Sequence, residues 1–78
     1  MNDSNVKPSR YCVRFLRRDN AVPPVEEYYY WNKEDAELHM QEFRRDDADF
    51  KEMYSAVQLI TYYGKKQELS VISEEIRF

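Results

Sequence analysis

Apolar and polar residues alternate from position 10 onward, and this period of two predicts a β-strand near 10–18. Tyr11, Val13 and Phe15 would share one side of this strand. The segment RRDNAVPPVE ends it, because consecutive prolines lack the amide hydrogens that a sheet ladder requires. A second strand is predicted near 26–31, where EEYYYW is rich in aromatic residues that favour strands.

The period then changes to about 3.6, which predicts one helix near 33–45. Asn32 is a suitable N-cap, and the acidic residues that follow it suit the helix dipole. The segment RRDDAD favours the end of the helix and a turn. The apolar stripe predicted to face the core comprises Ala36, His39, Met40 and Phe43, with Leu38 at its margin.

Two further strands are predicted near 53–63 and 67–76, joined as a hairpin at Gly64, which takes a positive φ without steric cost. A rival interpretation continues the helix through ADFKEMYSAV, whose apolar residues also fit a period of about 3.6. The preferred order, β-β-α-β-β, predicts an α+β fold. It is a two-layer sandwich, in which a four-stranded antiparallel sheet has one helix packed on one face.

The length of 78 residues fits one small domain, predicted to span 10–78 after a flexible N-terminal arm at 1–9. A domain of this size buries only about 60% of the surface that its unfolded chain exposes. Cys12 is the only cysteine, so no intramolecular disulfide supplements the core. Oligomerisation is therefore the expected supplement, and a homodimer is its simplest form.

The distribution of apolar residues also predicts where the protein resides. The N-terminal segment has no apolar run of the kind found in a signal peptide, and no run of about 18 apolar residues occurs elsewhere. A lone cysteine agrees with a reducing compartment. The sequence therefore predicts a soluble, cytoplasmic protein that does not associate with a membrane.

The residues that most catalytic and cofactor sites require are scarce. A single glycine excludes the glycine-rich loops that bind nucleotides. Cys12 and His39 lack a third group to orient the base, and each is interpreted as a packed core residue. The acidic segment DDADFKE lacks the glycine of an EF-hand loop. We therefore predict a protein that is not an enzyme and has no catalytic, cofactor or metal site.

The aromatic run at 28–31 carries the functional prediction. Strand alternation separates Tyr28 and Tyr30 from Tyr29 and Trp31, but leaves open which pair lies under the helix. Because one helix covers one face, the other face would expose aromatic rings of the kind enriched at interfaces. We predict a protein–protein interaction module that self-associates as a homodimer through this aromatic sheet face. The candidate surface comprises Arg14, Leu16, Arg18, Tyr28, Tyr29, Tyr30 and Trp31.

Single-stranded nucleic acid is the alternative partner. Arg14 and Arg18 beside the tyrosines would combine phosphate contacts with base stacking on the open face of the sheet. Residues 1–20 carry five basic and two acidic residues, a net charge of +3. The whole chain is acidic, however, with a net charge of −3 and a pI of about 5.1, whereas strong nucleic-acid binders have a basic footprint. A protein partner is therefore preferred.

Overall fold

A computed structural model describes residues 7–18, 22–42, 48–64 and 68–78. The elements are, in chain order, β1 (Pro8–Arg17), β2 (Val25–Tyr30), α1 (Lys33–Gln41), α2 (Ala48–Met53), β3 (Tyr54–Tyr63) and β4 (Leu69–Arg77). The strands form one antiparallel sheet in the order β2-β1-β3-β4. The predicted α+β fold, with its four-stranded antiparallel sheet, is confirmed.

The strand boundaries lie within two residues of those predicted, and the end of α1 differs most. β1 begins at Pro8, inside the arm predicted at 1–9, and proline is tolerated there because it is the first residue of the strand. α1 ends at Gln41 rather than near position 45. The residues 43–47, which include Phe43 of the predicted apolar stripe, lie outside the described residues.

α2 is a second helix, which the preferred sequence interpretation did not contain. It spans Ala48–Met53 and leads directly into β3 at Tyr54. The rival interpretation was therefore right about a helical segment in ADFKEM and wrong from Tyr54 onward. Phe50 anchors this short helix, because its ring lies 6.3 Å from the ring of Tyr54 and packs against the core.

α1 begins after Asn32, as the sequence predicts. The Asn32 backbone is extended, and its carbonyl accepts a hydrogen bond from the amide of Ala36 at 3.3 Å. Its side-chain amide donates to the Asp35 carboxylate at 3.4 Å and makes no hydrogen bond to the helix backbone. Among the described residues, no helix has the length and apolar character needed to cross a membrane.

The core lies between the sheet and the two helices. The register of the central strands places Val13 opposite Leu59 and Phe15 opposite Val57, all four facing α1 and α2. Small and flexible side chains of α1 fill the space above them, as predicted from its apolar stripe. The buried core comprises Val13, Phe15, Ala36, Met40, Tyr54, Val57 and Leu59.

Phe15 is the residue whose truncation should cost most stability. It is fully buried, and its ring contacts the rings of Tyr28, His39 and Tyr54 at centroid distances of 5.1 to 5.6 Å. We expect Phe15→Ala to lower the free energy of unfolding by about 3–5 kcal/mol, because it leaves a cavity. Urea denaturation followed by circular dichroism measures this change.

The matched control is Leu38→Ala, because Leu38 is 62% exposed on α1. This substitution also truncates an apolar side chain, but it should change the free energy of unfolding by no more than about 0.5 kcal/mol. Equal effects of the two substitutions would contradict the placement of the core between sheet and helices.

Candidate interaction face of the sheet

The two sides of the sheet have different neighbours. α1 packs on β1, β2 and β3, and α2 packs on β3, both on the side of Val13 and Phe15. The alternate residues of β1, namely Cys12, Arg14 and Leu16, point to the other side, which we call the open face. In the part of the chain that the structure describes, no element covers the open face.

A row of polar side chains crosses the middle of the open face from edge to edge. The strand register aligns Glu27, Arg14, Gln58 and Glu75. Arg14 Nε donates to Glu27 at 2.9 Å, and Gln58 Nε2 donates to Glu75 at 2.6 Å. The hydrogen bond from Gln58, with a second one from Arg77, lowers the pKa of Glu75. This polar row therefore satisfies its charges within the chain.

An aromatic patch occupies the open face next to the polar row, and comprises Arg10, Tyr29, Trp31 and Tyr62. The guanidinium carbon of Arg10 lies 4.7 Å from the ring centroids of both Tyr29 and Tyr62. Arg10 Nη2 also donates to Glu68 at 2.8 Å. Trp31 follows β2 and is 81% exposed. The cation–π contacts fix the two tyrosine rings, so the patch is a preformed surface.

The hydroxyl group of Tyr29 stays protonated under ordinary conditions. Partial burial raises the pKa of Tyr29 to about 12, and a hydrogen bond with Tyr62 adds to the increase. A small hollow of about 100 Å³ lies beside it, lined by Arg10, Tyr29, Tyr30 and Trp31. Pockets for small molecules usually have volumes of about 300–1,000 Å³, so this hollow suits a single protein side chain better than a cofactor.

The structure shows which aromatic residues of the run at 28–31 lie under the helix. Tyr28 and Tyr30 point toward α1, where their rings contact His39 at centroid distances of 4.9 and 5.7 Å. The hydroxyl group of Tyr30 also hydrogen-bonds His39 Nδ1 at 2.6 Å. Tyr29 points the other way, into the aromatic patch. The predicted alternation therefore holds through β2, and Tyr28 and Tyr30 are the pair beneath the helix.

The structure brings together only part of the surface predicted from the sequence. Arg14, Leu16 and Tyr29 share the open face, with Trp31 beside them. Arg18 is held at the end of the sheet, where it donates to the carbonyl groups of Lys51 and Phe78.

Sequence reasoning missed two members of the aromatic patch. The candidate surface predicted from the sequence does not include Arg10, although Arg10 continues the alternate positions of Cys12 and Arg14. Tyr62 lies in the strand predicted near 53–63, but its face is not predicted, because the pairing of β3 with β1 cannot be read from either strand alone. The signal that would have found both is the register that aligns Arg10 with Tyr62.

Cys12 and His39 do not form a pair. The Cys12 side chain is fully buried on the open-face side of β1, whereas His39 lies on the helix side of the sheet. Burial raises the pKa of the Cys12 thiol. Asp46 and Asp47 of the acidic segment lie outside the described residues. Among those described, no three His, Cys, Asp or Glu side chains are grouped so that they could hold a metal ion.

Comparison of the chain with protein-family models, with curated proteins and with solved structures gave no match. The function proposed below is therefore inferred from the geometry and charge of the described residues. The open face and its aromatic patch are the features that this geometry offers.

Protonation of His39 should destabilise the fold. Burial lowers the pKa of His39 below its ordinary value of about 6.5, although the nearby Glu42 opposes this shift. As the pH falls below about 6.5, the unfolded chain binds the proton before the folded chain does, so the free energy of unfolding should decrease. Urea denaturation between pH 7 and 5 should show a weaker pH dependence for His39→Phe than for the parent.

Tyr30→Phe is the control for this experiment. It removes the hydrogen bond to His39 but keeps the imidazole in its buried position. Because desolvation is the main cause of the shift, Tyr30→Phe should retain the pH dependence of the parent. Parallel pH profiles for the parent and His39→Phe would contradict the prediction.

Proposed function

We propose that this chain is a non-enzymatic protein–protein interaction module and that the open face is its contact surface. The observation that carries the proposal is the exposed aromatic patch on a sheet face that no described element covers. Tyrosine, tryptophan and arginine are the residue types most enriched among those that contribute strongly to protein interfaces. The patch contains all three.

The charge of the open face supports a protein partner. The described charged groups on and beside this face balance, with three bases and three acids: Arg10, Arg14, Arg77, Glu27, Glu68 and Glu75. Each base is paired with an acid in the same chain. A neutral partner surface therefore meets no uncompensated charge, which matches the depletion of charged residues at the centre of interfaces.

The contact should be centred on the aromatic patch rather than on the polar row. Covering the polar row would remove water from its ion pairs. The free energy of that desolvation can exceed the electrostatic attraction within the pairs. Covering Tyr29 and Trp31 instead removes apolar surface from water, at about 25 cal/mol per Å². The polar row would then lie at the rim of the contact, where paired charges cost little.

A second copy of the chain is the occupant that we propose for the open face. A small domain without a disulfide gains stability by association, and a two-fold axis would set patch against patch. Stacked sheets lie about 10 Å apart, which leaves room for aromatic side chains from both copies to interdigitate.

Single-stranded nucleic acid is less well supported. Arg10 and Arg14 already pair with Glu68 and Glu27, so phosphate groups would have to compete with carboxylates for both cations. Arg10 also occupies the tyrosine faces on which bases would stack. The alternative is therefore tested as a competing outcome.

Trp31→Lys should weaken self-association through the open face. The side chain is mostly exposed, so the substitution changes the surface and leaves the core intact. Loss of a central aromatic contact typically costs about 2 kcal/mol or more, which corresponds to roughly a thirtyfold increase in Kd. Sedimentation equilibrium across a dilution series measures the change.

The matched control is Leu38→Lys, which also replaces an exposed apolar residue by lysine, but on α1. It should leave the Kd unchanged. A parent chain that remains monomeric at the highest concentration would contradict the dimer. Retention of the parent on single-stranded DNA that is lost at moderate salt would favour the nucleic-acid alternative instead.

A further inference from the structure

The outer edge of β4 is a second exposed surface, which begins beside the aromatic patch, since Ser70 lies opposite Tyr62. β4 pairs with β3 on one side, and no strand lies on its other side in the part of the chain that the structure describes. The first four residues of β4 form its bare edge, Leu69–Ile72. Three of them are large apolar residues: Leu69 is 68% exposed, Val71 is 50% exposed and Ile72 is 54% exposed.

Among the described elements, neither helix packs closely over either face of the bare edge. Leu69 and Val71 lie opposite Tyr63 and Thr61 of β3, on the helix side, but α1 packs on β1, β2 and β3. Ile72 lies opposite Ile60, on the open face. The segment therefore exposes apolar side chains above and below an unpaired backbone edge.

The other exposed edges of this sheet carry features that oppose pairing. β2 is short, follows two consecutive prolines and carries Glu26 and Glu27. The second half of β4 has a bulge at Ser73 and carries acidic residues. Charges, prolines and bulges are the usual means by which proteins protect edge strands from pairing. The bare edge has no charge, proline or bulge, and its LSVI sequence favours strand formation.

We propose that the bare edge pairs antiparallel with the same segment of a second copy, about a two-fold axis at Ser70. The two four-stranded sheets would then form one sheet of eight strands. The helices of both copies would lie on one side of it, and both open faces would lie on the other. This pairing does not depend on the contact proposed for the open face.

The side chains select the position of the axis. In an antiparallel pair, directly opposite residues point to the same face, so the axis passes through one residue of the segment. An axis at Ser70 sets Leu69 opposite the second copy's Val71 and Val71 opposite its Leu69, two apolar pairs on the helix side. An axis at Val71 would set Glu68 beside the second copy's Glu74, and like charges that face each other destabilise a sheet.

A second copy fits the bare edge better than a foreign strand of arbitrary sequence. The three residues that pair about the axis, 69–71, carry no charge, and the axis at Ser70 moves the acidic half of each β4 away from that of the other copy. The axis at Ser70 pairs residues 69–71 of each chain and places Ile72 opposite Glu68 of the second copy. The contact therefore belongs with small interfaces, which bury less than about 1,200 Å². It should therefore form reversibly and depend on protein concentration.

Disulfide cross-linking of Ser70→Cys tests the proposal. Residues that face each other across an antiparallel pair have Cα atoms about 4.5–5.5 Å apart, within the range that a disulfide spans. Ser70 is exposed, so the substitution should not disturb folding. Oxidised glutathione should convert Ser70→Cys into a covalent dimer, visible on a non-reducing gel. The parent is the first control, since its Cys12 is buried and should not cross-link.

Ser73→Cys is the matched control on the same strand. With the axis at Ser70, the two positions 73 would lie about 20 Å apart, since a strand rises about 3.3 Å per residue. Ser73→Cys should therefore remain monomeric under the same oxidation. The proposal is overturned if Ser70→Cys stays monomeric at high concentration, or if Ser73→Cys cross-links equally fast.

Two double variants separate this proposal from the open-face contact. Ser70→Cys combined with Trp31→Lys should still cross-link, because Trp31 lies far from the bare edge. Ser70→Cys combined with Val71→Lys should lose the cross-link, because two lysines would meet the apolar pairs beside the axis. Loss of cross-linking in the Trp31→Lys background would overturn the bare-edge pairing as a separate interface.

Discussion

The register between β1 and β3 is the constraint on which the rest of the structure depends. Val13 faces Leu59 on the helix side and Cys12 faces Ile60 on the open side, and a shift of one residue would turn the side chains of the shifted strand to the opposite faces. A shift of β1 would put Arg14 on the helix side, and a shift of β3 would put Gln58 there, against an apolar core. Burying these polar groups without hydrogen-bond partners costs free energy that contacts on the open face do not recover. The observed register is therefore strongly favoured.

The polar row also results from this register. It divides the open face into a middle part that is stable in water and an aromatic patch that exposes apolar surface. Because Arg14 pairs with Glu27 and Gln58 with Glu75, the middle of the face is stable in water without a partner. Cys12 and Ile60 lie on the same side of the sheet and are buried, although no described element packs over them. The contact proposed for the open face is therefore centred on the aromatic patch, where the exposed apolar area of this face remains.

Local patterns in the sequence predicted the fold, but they did not predict which residues meet on each face of the sheet. Alternation in β1 and β2 and the stripe of α1 predicted the architecture and the split of the tyrosines. α2 belonged only to the rival interpretation, because the apolar period of about 3.6 continues past Met53 and does not show that a strand begins at Tyr54. Arg10 and Tyr62 meet only through strands distant in sequence, so no pattern within either strand showed the patch.

The described elements leave the open face and the bare edge uncovered because both helices lie on one side of the sheet and do not extend over β4. A helix is about 10 Å wide and strands lie about 4.8 Å apart, so one helix shields about two strands of a sheet. α1 lies over the β2, β1 and β3 side of a four-stranded sheet, and α2 is too short to extend that layer across β4. The apolar surface of β4 and of the opposite face then exceeds what the described helices cover. Association would reduce that excess for a chain of this size, and both contacts that we propose lie on surfaces that the described helices leave exposed.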